Sequence, residues 1–297
     1  MQPLRVTLIF IGTIFLGGAL VSPWVYKLAQ VAAQEFPALA SLGRQPFPRY
    51  VNRSLLILTV VGLWPFLRQT GVRSWRDLGL GTADRRWQQA RWGLLVGFGS
   101  LALAAGLTML AGARSFNVEH GTFQLLRHVG SVATTALGVA CIEEIIFRGA
   151  LLSALQKSVS PVASLLTSSL IYAAAHFLKR AGEVESVQWD SGFVVLLDMA
   201  RGFGRVEMFV PEFVNLTIAG LLLGRVFQRT GALYASIGLH AGWIFWLKTF
   251  GYITIERSAG APWFWGSARL MDGWLALVVL LGSCVSIRWL QQKKETR

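Results

Sequence analysis

The chain has 297 residues, of which 54% are hydrophobic and 14% charged, and its mean hydropathy is +0.51. Soluble domains carry about a quarter of their residues as charges, so this composition excludes an ordinary water-soluble globule. The net charge of +13 does not point to nucleic acid either. The basic residues fall mainly in loops and at the ends of apolar runs, alongside tryptophans, as membrane topology requires.

A helix needs about 20 apolar residues to cross a hydrocarbon core of roughly 30 Å. Runs of suitable length predict about eight membrane helices, over residues 4–26, 51–66, 93–113, 131–155, 161–178, 208–227, 231–250 and 271–290. The expected fold class is therefore all-α, a polytopic membrane helix bundle that fills residues 1–297 as one membrane domain, with the lipid bilayer as its main partner. No internal repeat or low-complexity tract is evident.

The first run follows Arg5 and can be read as a signal peptide, with a weak cleavage site in the small residues of Val31-Ala-Ala-Gln. Its length, and the membranous character of the rest, favour a membrane helix. Between the second and third runs stand Arg68, Arg73, Arg76, Arg85, Arg86 and Arg91. With eight spans, Lys293, Lys294 and Arg297 share their side, which favours cytoplasmic termini. The opposing loops carry Lys27, Arg44, Arg49, Lys179 and Arg180, so the charge bias is small.

The fourth run contains the main anomaly. Glu143 and Glu144 sit in the apolar stretch 137–152, LGVACIEEIIFRGALL, with Arg148 four residues beyond the second. An ionisable group at bilayer depth costs roughly 2.5–3.5 kcal/mol on insertion scales, so such groups mark internal polar sites. On a helix, residues four apart share a face and neighbours diverge by about 100°. Glu144 is thus expected to pair with Arg148, leaving Glu143 to face a cavity as a general base. One buried ionic knot that merely joins helices would explain Glu144 and Arg148 equally well.

Of the four histidines, His176 closes Tyr172-Ala-Ala-Ala-His176 in the fifth run and His240 lies in the seventh. With Glu143 they form a set from three helices. Such a set can bind zinc, or it can activate a water and stabilise a tetrahedral intermediate without metal. His120 and His128, which flank the fourth run in polar surroundings, are expected to be solvated surface residues. His176 stands close to Lys179 while Glu143 lies deep in its run, so either the fifth helix should continue past Lys179 or the fourth should begin later than residue 131. Two further expectations concern packing. Residues 193–199, FVVLLDM, within the polar insertion 179–207, are too short to cross and should lie at the interface or fold back. Gly220, Gly224, Gly238 and Gly242 have the spacing of close helix contacts. Cys141 and Cys284 are too few for a disulfide framework.

Glu143-Glu144-Ile-Ile-Phe-Arg148-Gly149, then Tyr172-xxx-His176, then TGALYASIGLHAGW around His240, resembles the CPBP intramembrane proteases. These include type II CAAX prenyl endopeptidases and Abi and lysostaphin-resistance-like proteins. The likeness covers residues 131–250 as a catalytic core. It implies a multi-pass endopeptidase in a bacterial-type plasma membrane that cuts a peptide or protein substrate near its C-terminus. Glu143 and His176 would handle the nucleophilic water, His240 would assist the oxyanion, and Glu144 and Arg148 would support them. The resemblance leaves the use of a metal open; a metal-free, glutamate-type hydrolysis is the favoured reading, and a divalent ion such as zinc would be held by Glu143, His176 and His240.

Two positions depart from the pattern. Tyr172 stands where the family more often has Phe. Ile244, four residues after His240, replaces an Asn or Asp and cannot donate a hydrogen bond. Loss of one oxyanion donor typically costs about 10²–10³ in rate. Asn215 in the sixth run is the expected substitute, ahead of the Trp243 indole, which points about 100° away from Ile244. Ile244 also motivates a second reading, a catalytically impaired relative that binds a partner. A third, a small transporter, lacks paired broken helices and an internal repeat.

Overall fold

A computed structural model describes residues 3–81, 85–117, 119–177, 184, 186–201, 206–257 and 261–295. Its principal helices are α1 (Pro3–Glu35), α2 (Phe47–Gln69), α3 (Arg86–Leu110), α4 (Thr122–Leu155), α5 (Pro161–His176), α6 (Ser191–Arg201), α7 (Val206–Thr230), α8 (Tyr234–Ile253) and α9 (Trp274–Glu295). A helix meets each of the eight predicted runs. Among the described residues α1, α2, α3, α4 and residues 210–230 of α7 are long and apolar enough to cross a membrane. The other three fall short of that test, so five crossings are supported by length and composition and eight are not. The all-α membrane bundle stands.

Residues 1–73 and 174–205 form one compact unit, and residues 74–173 and 206–297 a second. In the first, α1 packs on α2, and Phe10 stacks on Phe66 with ring centroids 4.5 Å apart. The short α6 carries the 193–199 patch. It folds back to bury Val195 and Met199 against Phe47, Tyr50 and Val51, while Val194 and Leu197 face outward. A two-sided helix of this length suits an interface and cannot span.

The second unit is built around α8, which packs against α3, α4 and α7. Helices α3 and α8 run side by side so closely that side chains are excluded. A Cβ on Gly93 would meet the Ala235 carbonyl oxygen, one on Gly97 that of Leu239, one on Gly238 that of Ala90, and one on Gly242 the Phe98 nitrogen. Without a hydrophobic drive between helices in lipid, small residues that allow such approach carry the packing. Gly220 and Gly224 do the same against Ser169 and Leu165 of α5, so the expected glycine role holds at all four positions.

Outward positions are apolar, with Leu95, Leu103 and Leu110 of α3 exposed as well as Leu8, Leu16 and Leu20 of α1. Water would oppose such surfaces, and lipid accepts them. Tryptophan–cation pairs occur near helix ends: Arg68 over Trp64 at 4.6 Å and Arg86 beside Trp87 at 5.9 Å. Aromatic and basic residues gather in this way at the headgroup level. The protein is an integral membrane protein.

Three features differ from the sequence expectations. Helix α4 begins at Thr122, earlier than residue 131, and α5 ends at His176, short of Lys179. Both proposed adjustments of helix ends are therefore wrong. The extra turns of α4 come from residues 122–130, which continue the helix beyond the apolar run. Second, Arg114–Phe116 and Thr254–Glu256 form an antiparallel two-stranded clip, β1 and β2, pairing Arg114 with Glu256 and Phe116 with Thr254. It ties the end of α3 to the end of α8, and buried Arg114 donates to the Thr254 hydroxyl at 2.8 Å and carbonyl at 3.0 Å. Third, His120 and His128 are half-buried rather than fully solvated. Their rings lie parallel to Tyr252 at 3.9 and 3.8 Å, drawn there because the clip brings the loop before α4 against the end of α8.

Candidate active site

Helix α4 changes winding just after the glutamates: Thr122–Glu144 is α-helical and Ile145–Leu152 is π-helical. A π segment inserts an extra residue per turn and is common at functional sites. Gly149 lies within it, and a Cβ there would stand 3.0 Å from the Leu78 carbonyl oxygen. The glycine of the motif thus lets the helix approach the loop ahead of α3. The TGALY stretch holds the other side of that loop, with the Leu233 amide donating to Gly79 at 2.9 Å and the Tyr234 hydroxyl to the Leu80 and Gly81 carbonyls at 3.1 and 2.9 Å.

The two glutamates occupy different environments. Glu144 is fully buried, and Glu143 retains 25% of its side-chain exposure. Arg148, also buried, donates from Nη1 to Glu144 Oε1 at 2.8 Å and from Nη2 to the Gly220 carbonyl at 3.4 Å. The same Glu144 oxygen accepts from His240 Nδ1 at 2.8 Å. A carboxylate oxygen accepts, so the Nδ1–H of His240 is the donor in this bond and Nε2 is the ring nitrogen left facing Glu143 and Tyr172. That Nε2 stands 3.8 Å from Glu143 Oε2 and 3.3 Å from the Tyr172 hydroxyl. The Arg148 guanidinium lies 4.5 Å over the Tyr172 ring, and Phe147 meets that ring edge-on at 5.1 Å.

Glu143, Glu144, Arg148, Tyr172 and His240 are thus brought together by α4, α5 and α8. Arg148–Glu144 pairing follows from spacing. The Glu144–His240 bond does not, although one signal was available: a fully buried carboxylate has more lone pairs than one arginine satisfies. His176 is the exposed last residue of α5, and it groups with the first unit. Asn215 is fully buried, and its amide donates to the Met271 and Gly273 carbonyls at 2.8 and 2.9 Å. To serve an oxyanion it would have to release one of them. The Trp243 indole donates to Ser100 at 2.9 Å. Ile244 packs in an apolar cluster with Ala136, Ala140, Phe227 and Ala241. Among the described residues no three His, Cys, Asp or Glu side chains are grouped to hold a metal ion, and neither Cys141 nor Cys284 is in a disulfide.

No curated protein and no solved structure gives a match to the chain. Residues 126–246 match the family model described as Rce1-like, type II CAAX prenyl endopeptidase, and that span contains the whole constellation around Glu144. The core of this chain therefore carries the pattern of the Rce1-like type II CAAX prenyl endopeptidases, the family that its motifs resemble.

Proposed function

We propose that this protein is an intramembrane endopeptidase that hydrolyses a peptide bond near the C-terminus of a membrane-associated substrate, as in processing of a prenylated CAAX tail. The observation that carries the reading is the buried series Arg148–Glu144–His240, which ends 3.8 Å from Glu143 inside a segment similar to proteases. Glu143, the more exposed carboxylate, accepts a proton from water as the water oxygen bonds to the scissile carbonyl carbon. The proton passes to the leaving amine when the C–N bond breaks, which restores the carboxylate. Glu144 fixes the tautomer and ring orientation of His240, the role of a carboxylate behind a catalytic imidazole. The hydrolysis balances on these groups without a metal.

The test is cleavage of a farnesylated CAAX peptide by purified protein in proteoliposomes. Wild-type protein should release the C-terminal tripeptide, and Glu143→Ala should not, while remaining folded. Equal cleavage by both would overturn the assignment. Ile244 favours one competing reading, a binding protein of impaired activity, because its place in the apolar cluster supplies no polar group to the site. That reading expects the wild-type protein to bind the peptide and leave it intact.

A further inference from the structure

We infer that the exposed basic end of the second unit is a docking surface for anionic phospholipid headgroups, formed by Arg76, Arg85, Arg86, Arg91 and Arg225. The inference is independent of the endopeptidase reading and rests on where the helices of that unit place their charges. Helix α3 starts at Arg86, α7 ends at Thr230 and α8 starts at Tyr234. A short turn joins α7 to α8, and the Tyr234 hydroxyl donates to the Leu80 and Gly81 carbonyls ahead of α3, so these termini share one end. All five arginines stand there, exposed. Within residues 74–91 the sequence sets only Asp77 and Asp84 against them, and the Asp77 carboxylate accepts from the Ser74 amide at 2.9 Å, inside its own turn. The opposite end, at the strand clip, mixes signs: Arg127 and Arg257 are exposed, but so are Glu119 and Glu256, and Arg269 lies 3.7 Å from Glu212. Solubility in water would not require such a division. A membrane leaflet rich in anionic lipid gives the basic end a partner.

Depth and chemistry both fit a headgroup. Trp75 and Trp87 are 69% and 73% exposed at the same end, and Arg86 lies 5.9 Å from the Trp87 ring; tryptophan gathers where hydrocarbon meets headgroup. Arg225 stands more than one turn in from the end of α7, and its long stem lets the guanidinium reach outward to the same level. A guanidinium forks onto two phosphate oxygens, which makes arginine the residue suited to a phosphodiester. The surface is also formed in advance. In residues 74–81 the Leu80 amide donates to the Trp75 carbonyl at 2.8 Å and the Gly79 amide to the Arg76 carbonyl at 3.0 Å. Leu78 is buried, and the Leu233 amide holds the Gly79 carbonyl at 2.9 Å. Such a turn presents Arg76 and Trp75 without the ordering cost that a flexible loop meets on binding.

The test uses the full chain in neutral detergent, with bound lipid counted by native mass spectrometry during titration with dioleoylphosphatidylglycerol or dioleoylphosphatidylcholine. The wild type should bind the anionic lipid at least about tenfold more tightly, and the preference should shrink as salt is added. Arg76→Gln, Arg85→Gln, Arg86→Gln and Arg91→Gln should each weaken phosphatidylglycerol binding roughly fivefold, and the four together should abolish the preference. The single variants decide the matter if the fourfold variant does not fold. Arg127→Gln combined with Arg257→Gln, at the clip end, should keep the wild-type preference. Equal binding of the two lipids by the wild type, an undiminished preference in the Arg→Gln variants of the basic end, or an equal loss in the clip-end variant would overturn the inference. So would displacement of the lipid by millimolar inorganic phosphate, the mark of a free-phosphate site rather than a lipid surface.

Discussion

At the residue scale, the neighbouring glutamates are separated by burial and partners rather than by chemistry. Glu144 is held by Arg148 and His240, so removing the cation leaves a buried carboxylate with too few donors. Arg148→Met should destabilise the protein by about 3–5 kcal/mol, seen as a lower unfolding temperature in detergent. Adding Glu144→Gln should recover part of that loss, because the stranded charge is then gone. Alone, Glu144→Gln weakens the hold on His240 and should lower kcat by about 10–100-fold, and because it strands the buried Arg148 guanidinium it should also destabilise the protein by about 3–5 kcal/mol. The Glu144–Arg148 pair was legible because four-residue spacing is local. The Glu144–His240 bond joins residues far apart in sequence, and only the packing of α8 on α4 creates it. His120 and His128 were misread for the same reason: their polar neighbours in sequence say nothing of Tyr252, which reaches them through the strand clip.

At the element scale, hydrophobic run length located the helices, while their ends depended on interactions that composition does not encode. The fourth apolar run begins at residue 131, yet residues 122–130 extend the helix back to Thr122, a few residues from the strand clip. The π segment at Ile145–Leu152 has no signal in hydropathy, since it changes which carbonyl each amide meets and not which residues are apolar. The α3–α8 contact gives a direct check. Gly97→Ala or Gly238→Ala forces a Cβ against backbone and should cost about 1–3 kcal/mol or more as overpacking. Gly99→Ala, on the same α3 with nothing within 4 Å of its new Cβ, should be neutral or slightly stabilising. Resistance of the three variants to SDS-induced unfolding would rank them; equal behaviour would contradict the backbone contact.

At the scale of the whole molecule, composition alone identified a membrane bundle, and the exposed leucines of α1 and α3 agree with it. The protein should stay with the membrane pellet through alkaline carbonate extraction. We propose cytoplasmic termini in a bacterial-type plasma membrane from the loop charges, which a C-terminal alkaline phosphatase fusion checks: the fusion should be inactive, and an active one would invert the topology. Motif order predicted the protease likeness, but substrate choice depends on surfaces that no local pattern names. The central claim is that Glu143 is the base of a hydrolase. The most direct measurement is the rate at which wild-type and Glu143→Ala proteins, both confirmed as folded, cleave a farnesylated CAAX peptide in proteoliposomes. The account predicts turnover by the wild type and a loss of at least about 10²-fold in the variant; equal rates, or no turnover by folded wild-type protein, would contradict it.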